Sequence, residues 1–327
     1  FYNQIIFCAV GFSLAFIIGV FFEFKTIEDL SIPLYIAVCI LLLLVDFFGT
    51  TTKGGERWIS LGPVRLQPSE FAKIAILLII ARSFQNTYIA GEFSLFSLWK
   101  QALLIAIPFL LITKQPDLGT ACLVFLIACF QIATLPINRR TLLIVFSVGL
   151  SIALLAWNFI LYDYQKQRVL TFINPMLDPR GSGYQSLQSM IAVGSGRFSG
   201  LGFGEGAQAK LKFLPERHTD FAFSVWAEEQ GFIGCVFVII LYVLLVVQIF
   251  QVANRAKDSF SSLVAVGVGA FFIVHFLINI SMVLGIFPVV GVPLSLFSYG
   301  GTHIITAIGS LGLLIAIERR RYIGVMS

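Results

Sequence analysis

The sequence predicts an all-α polytopic membrane protein, and three observations carry that prediction. Residues of the AVILMFWYC set make up 58% of the 327 and charged residues only 12%, where a soluble domain averages about half and about a quarter. Mean hydropathy is +0.92. The apolar residues also come in runs, several of which reach the ~20 residues that cross a ~30 Å hydrocarbon layer as helix. Backbone groups in lipid must be satisfied within the segment, so these runs are helices.

Along the chain the runs define nine transmembrane helices, at about 4–22, 32–49, 69–86, 97–113, 118–136, 141–162, 221–250, 261–286 and 300–318. The fourth has the shortest clean apolar core and contains Pro108. Between the sixth and seventh lies the one long segment outside the membrane, 163–220, too Gly-rich for a conventional globular domain and longer than a connector needs. The chain therefore reads as a single transmembrane domain, 1–327, with one long extracytoplasmic loop. It shows no internal repeat, low-complexity tract or cleavable signal. Its first residue is Phe, so it reads as starting inside a longer chain. The five cysteines, Cys8, Cys39, Cys122, Cys129 and Cys235, all fall in apolar segments without metal-ligand spacing. They read as small packing residues, not as redox centres.

Orientation follows from lysine and arginine placement. With Arg319, Arg320 and Arg321 in the cytoplasm, helix parity puts Arg139, Arg140, Arg255 and Lys257 on the same side and 163–220 on the other. Ten Lys/Arg then lie inside and twelve outside. Seven of the outer ones sit in the long loop, and long loops translocate largely regardless of charge. Short loops and helix ends alone give ten inside against five outside, which makes the long loop extracytoplasmic.

The outward segments carry the chemistry. The first, 51–70, presents Lys53, Arg57, Trp58 and Arg65 before Pro68-Ser69-Glu70, a helix start that Ser69 can cap and Glu70 complements as a dipole partner. Glu70 and Lys73, three apart, share a helix face. They are either a plain ion pair at the membrane rim or part of a polar cavity, because Lys73 lies one turn into an apolar segment. The turn 114–120 adds Lys114 and Asp117 and by itself reads as a polar turn. In the long loop, 162–190 is dense in Gln, Arg and aromatic residues. The stretch 194–208 has six glycines and reads better as a flexible connection than as a phosphate cradle, since no strand precedes it. The loop ends in LKFLPERHTDF (211–221), placing Glu216, Arg217, His218, Thr219 and Asp220 at the mouth of a long apolar helix. Asp220 there suits either a helix cap or a general base at the edge of a low-dielectric bundle.

In five blocks the chain resembles the SEDS family of shape, elongation, division and sporulation proteins, over essentially its whole length. The blocks are GGERWISLGPVRLQPSEFAK (54–73), KQPDLGT (114–120), QRVLTFINPMLDPRGSGYQSLQS (167–189), FLPERHTDFAFSVWAEEQG (213–231) and GIFPVVGVPLSLFSYGG (285–301). Arg217 and the Pro-Val-Val-Gly-Val-Pro run resemble the elongation branch more than the division branch. The chain departs from the family at Arg197, where a second Gly is common, and at Thr302-His303, where small Ser residues are usual.

The resemblance implies ten helices in the full chain with both ends cytoplasmic. It also implies peptidoglycan glycosyltransferase activity on lipid II at the outer face of the bacterial cytoplasmic membrane. The family's essential carboxylate falls on Asp220 and its important tryptophan on Trp58. Glu70, Lys73 and Lys114 fall on polar-cavity positions. The expected reaction is a single inverting displacement, in which Asp220 takes the proton of the acceptor hydroxyl. Arg57, Arg65, Lys73 and Lys114 offer cations to the leaving pyrophosphate. Asp117, Arg168, Glu216 and His218 complete the candidate substrate contacts. No cofactor is expected, with a divalent cation at the pyrophosphate left open. The implied partners are lipid II, the growing glycan strand, membrane lipids and a class B penicillin-binding protein transpeptidase, with no nucleic acid. Two other readings stand beside this one. A lipid II flippase would suit the buried charges but should line a path across the membrane and commonly shows inverted repeats, and a non-enzymatic scaffold needs only the long loop.

Overall fold

The computed structural model describes residues 2–52, 55–61, 64–85, 98–159, 161–179, 181–206 and 214–323. Lys53, Gly54, Gly62, Pro63, Arg180 and 207–213, which belong to the blocks and segments read above, lie outside the described residues. The chain forms two compact units, 1–136 with 245–274 and 300–327, and 137–244 with 275–299.

The first unit contains α1 (Tyr2–Phe21), α2 (Phe24–Phe48), three short strands, α3 (Pro68–Phe84), α4 (Trp99–Lys114), α5 (Leu118–Ala133) and α11 (Gly301–Ile323). Small residues let α1 and α11 approach closely: a Cβ on Gly19 would stand 2.7 Å from the Ile315 side chain. Such close backbone approach is how helices associate where lipid removes the hydrophobic drive. α3 is buried along most of its length, Glu70 and Lys73 included. Gln131 of α5 ties it down by donating from Nε2 to the carbonyls of Leu77 (2.9 Å) and Leu263 (2.8 Å).

Between α2 and α3 the chain forms β1 (Thr50–Thr52), β2 (Gly55–Leu61) and β3 (Val64–Leu66), an antiparallel sheet in that order with Ser60 opposite Arg65. The sequence reading had no strand here. Nor does Ser69 cap α3: the helix begins at Pro68, Gln67 holds the cap position, and Ser69 lies buried inside the first turn. Proline preset for the first helical position explains the shift.

The second unit contains α6 (Arg139–Phe159), α7 (Asp163–Ile173), a single 3-10 turn (Pro175–Leu177), α8 (Ser182–Ser195), most of α9 (Ala222–Arg255), the end of α10 (Ser259–Val283) and the segment 284–299. Its core gathers Phe221, Phe223, Val238, Tyr242, Met282 and Leu294. Ser189 of α8 donates to the carbonyl of Val283 (2.7 Å) and meets the hydroxyl of Ser224 at 2.7 Å, joining three helices through one side chain.

α9 is broken at Gly231 (φ 63, ψ −161), a conformation essentially restricted to glycine. The backbone groups freed by the break are taken up by the glycine-rich stretch. Leu201 and Gly202 amides donate to the carbonyls of Glu228 and Glu229, both at 3.0 Å. Phe232 and Ile233 amides donate to Arg197 (2.9 Å) and Phe198 (3.2 Å). The flexible connection expected over 194–208 is therefore, through 206, a backbone splint on a membrane helix.

Each of the nine expected spans overlaps a helix among the described residues. Among the described residues, α1, α2, α9, α10 and α11 are long and apolar enough to cross a membrane, and α5 is a shorter apolar helix. The chain is a multi-pass membrane protein.

Candidate functional site

Seven of the expected site residues lie in the first unit and four in the second, and each group is built by its own elements.

In the first unit, β2 and the turn before α5 bring Arg57 and Asp117 together. Arg57 donates from Nε to the carbonyl of Gln115 (3.3 Å) and from Nη2 to that of Pro116, with Asp117 Oδ1 3.7 Å from Nη1. Asp117 also caps α5 by accepting from the Thr120 amide (3.3 Å), and it accepts from Gln67 Nε2 at 3.2 Å. The turn 114–120 is thus clamped from two sides, which its sequence alone did not show. Trp58 is half-buried in β2, Arg65 is exposed on β3, and Lys114 is exposed at the end of α4.

Glu70 and Lys73 meet as their spacing predicts, Nζ to Oε1 at 2.8 Å, but the pair is not at a rim. Lys73 is 0% exposed. Its ammonium stands 5.6 Å from the centre of the Phe271 ring. The second carboxylate oxygen of Glu70 is held by His303 Nδ1 at 2.9 Å, and His303 in turn stacks on Phe271. Thr302 accepts from the Gln67 amide at 3.3 Å. Thr302 and His303, two of the positions at which the sequence departs from the pattern it resembles, tie α11 to this block. His303, read in the sequence only as a departure from small Ser residues, is the partner that completes Glu70. The available signal was an imidazole inside an apolar span, where a polar group needs a partner.

In the second unit, the PERHTDF block is a turn and not the start of the helix. Thr219 and Phe221 amides both donate to the Glu216 carbonyl (3.2 Å each), and the Glu216 carboxylate accepts from the Thr219 hydroxyl at 3.0 Å. Phe221, fully buried, anchors the turn in the core. α9 begins at Ala222, so Asp220 stands one residue ahead of the cap position. His218 is exposed, and its Nε2 accepts from Arg217 Nε at 3.2 Å. Arg168 is exposed on α7.

The segment 284–299 closes over Asp220. Its Tyr299 amide donates to the His218 carbonyl at 2.8 Å. A Cβ on Gly291 (φ 74) would lie 3.3 Å from Asp220 Oδ2, so the carboxylate rests against bare backbone. Asn279 of α10 donates from Nδ2 to the backbone carbonyls of Asp220 (2.8 Å) and Val292 (2.7 Å). Tyr242 donates to the Ser295 carbonyl from below. A carboxylate held by its backbone, beside a glycine that leaves room in front of it, is equipped to accept a proton from a bound hydroxyl.

The FtsW/RodA/SpoVE family model, described as a cell cycle protein, matches residues 1–323. The chain is 43% identical to the peptidoglycan glycosyltransferase MrdB of Escherichia coli (strain K12) over 303 residues, 88% of this chain and 77% of that one. It is 30% identical to the peptidoglycan glycosyltransferase RodA of Treponema pallidum, over 98% of this chain and 89% of that one. Among solved structures it is similar to a chain of a peptidoglycan synthase complex that coordinates polymerization and crosslinking (TM-score 0.84, 32% identity, 98% and 90% coverage). It is likewise similar to the Thermus thermophilus rod shape determining protein RodA (TM-score 0.71, 30% identity, 98% and 88% coverage).

Proposed function

This chain belongs to the FtsW/RodA/SpoVE family of cell cycle proteins and is a peptidoglycan glycosyltransferase, and from that premise we propose that it polymerises lipid II by a single inverting displacement with Asp220 as the base. The donor sugar is α-linked to a polyprenyl pyrophosphate and the glycan product is β-linked. One displacement inverts the centre, so one carboxylate is enough and no covalent glycosyl-enzyme is needed. Asp220 takes the proton of the acceptor hydroxyl as that oxygen attacks the donor carbon. The observation that carries this reading is the Asp220 carboxylate lying against Gly291 while Asn279 and Tyr299 hold its turn.

The leaving pyrophosphate is dianionic or more and calls for cations. Arg168 and Arg217 belong to the same unit as Asp220 and are cations that this unit offers. Lys73, with no exposed surface and its ammonium on Glu70, is assigned a structural part instead. Arg57, committed to the carbonyls of the turn before α5, supports that turn. The donor arrives already activated, so the reaction as proposed uses no cofactor. A divalent cation would serve only as a further counter-charge.

The active face is placed outside the cytoplasmic membrane of a bacterium, with the C-terminus in the cytoplasm, on the charge bias of the short loops. The partner is a class B penicillin-binding protein, in keeping with the polymerizing and crosslinking complex to which this chain is similar. The distinguishing experiment adds lipid II to the full-length protein and its transpeptidase partner in detergent. A polymerase builds glycan chains there. A flippase, deprived of a two-sided membrane, does nothing, and absence of polymer would return the reading to transport.

A further inference from the structure

Asn279 sits in the apolar helix α10 with no exposed surface. An amide in such a place is unfavourable unless its hydrogens are used. Both are. One goes to the carbonyl of Asp220 at 2.8 Å, the other to that of Val292 at 2.7 Å. Carbonyl oxygens only accept, so the NH2 end must face them and the amide has one permissible orientation.

The two acceptors matter because of what they carry. Asp220 carries the carboxylate, and Val292 adjoins Gly291, against whose backbone that carboxylate rests. A single side chain therefore fixes both the residue that presents the carboxylate and the wall it lies on. The turn itself offers weaker restraint, since its internal bonds are 3.2 Å or longer at the backbone.

We propose that Asn279 is the positioning residue of the Asp220 carboxylate, holding it and the Gly291 backbone in the register that the acceptor hydroxyl requires. The proposal rests on the assignment of Asp220 as the base. It goes beyond that assignment by placing part of the catalytic geometry in a fully buried side chain of the apolar helix α10. Displacement of a reacting group by about 1 Å can cost ~10²-fold in rate. A residue that acts only on the transition-state geometry lowers kcat and kcat/KM together and leaves KM alone.

The test uses the full-length protein with its transpeptidase partner in detergent, with lipid II as substrate and rates normalised to folded protein. Asn279→Leu keeps the branched heavy-atom skeleton and removes both donors, and Asn279→Thr, which is smaller, keeps one. The expected result is a fall in kcat of about 10- to 100-fold for Leu and a smaller fall for Thr, with KM for lipid II within about twofold of the parent. In an Asp220→Asn background, Asn279→Leu should cause no further loss, because there is no base left to position. Parent kcat in the Leu variant, or in the Thr variant if Leu does not fold, overturns the proposal. So does a raised KM with unchanged kcat, or failure of both variants to fold, which would make Asn279 a purely structural residue. Should Asp220→Asn itself polymerise at the parent rate, the assignment of the base falls instead, an outcome read independently of Asn279.

Discussion

Lys73 carries an ammonium to a position with no exposed surface, where desolvation costs several kcal/mol per ion unless partners restore it. Glu70 does so at 2.8 Å and is itself completed by His303. Removing one member leaves the other charge buried. Lys73→Met should therefore destabilise the protein by about 3–5 kcal/mol, and adding Glu70→Gln should recover part of that loss. Thermal melts of the detergent-solubilised variants would decide, and a single variant melting with the parent would mean the pair is not a stabilising unit. The spacing of Glu70 and Lys73 was legible because neighbours on one helix face follow from a local rule. His303 was not, since its partner lies 233 positions away in sequence. Asn279 escaped for the same reason: its value comes from two carbonyls on other segments.

At the scale of elements, long apolar runs made the membrane helices readable, because length and hydropathy suffice in lipid. The polar loops were less so. α7 and α8 lie in Gln- and Gly-rich sequence with no apolar run, and their stability comes from contacts such as Ser189 with Val283. The glycine count of 194–208 was seen, but its purpose depends on the break in α9, which no periodicity announces. That break yields a sharp contrast. Gly231→Ala would force a side chain into a glycine-only conformation, worth about 1–3 kcal/mol, and would bring its Cβ to 2.2 Å from the Gly200 nitrogen. Gly194 has open space around it, so Gly194→Ala should be neutral or slightly stabilising. Equal melting temperatures for the two variants would show that the splint does not hold α9.

For the molecule as a whole, the proposed function needs the orientation expected from the arrangement of charges along the chain, and labelling tests it directly. In a cysteine-free background, a cysteine at the exposed Ser199 should react with a membrane-impermeant thiol reagent in intact spheroplasts. One at the exposed Lys257 should react only after lysis. The reverse pattern would put Asp220 on the wrong side for lipid-linked donors outside the cell.

The proposed chemistry rests on one carboxylate. Asp220 stands ahead of the cap position of α9, so replacing it with Asn should leave the helix intact while removing the proton acceptor. An amide keeps the size and most of the hydrogen-bonding shape, and Asn caps a helix about as well as Asp in any case. The measurement is the rate of glycan polymerisation from lipid II in detergent by the parent and by Asp220→Asn, each with the transpeptidase partner and at equal folded concentration. A base of this kind contributes about 10²–10⁴-fold, so the account predicts polymer from the parent and a loss of that order from the variant, with unchanged melting. Polymer formed by Asp220→Asn at the parent rate would contradict it.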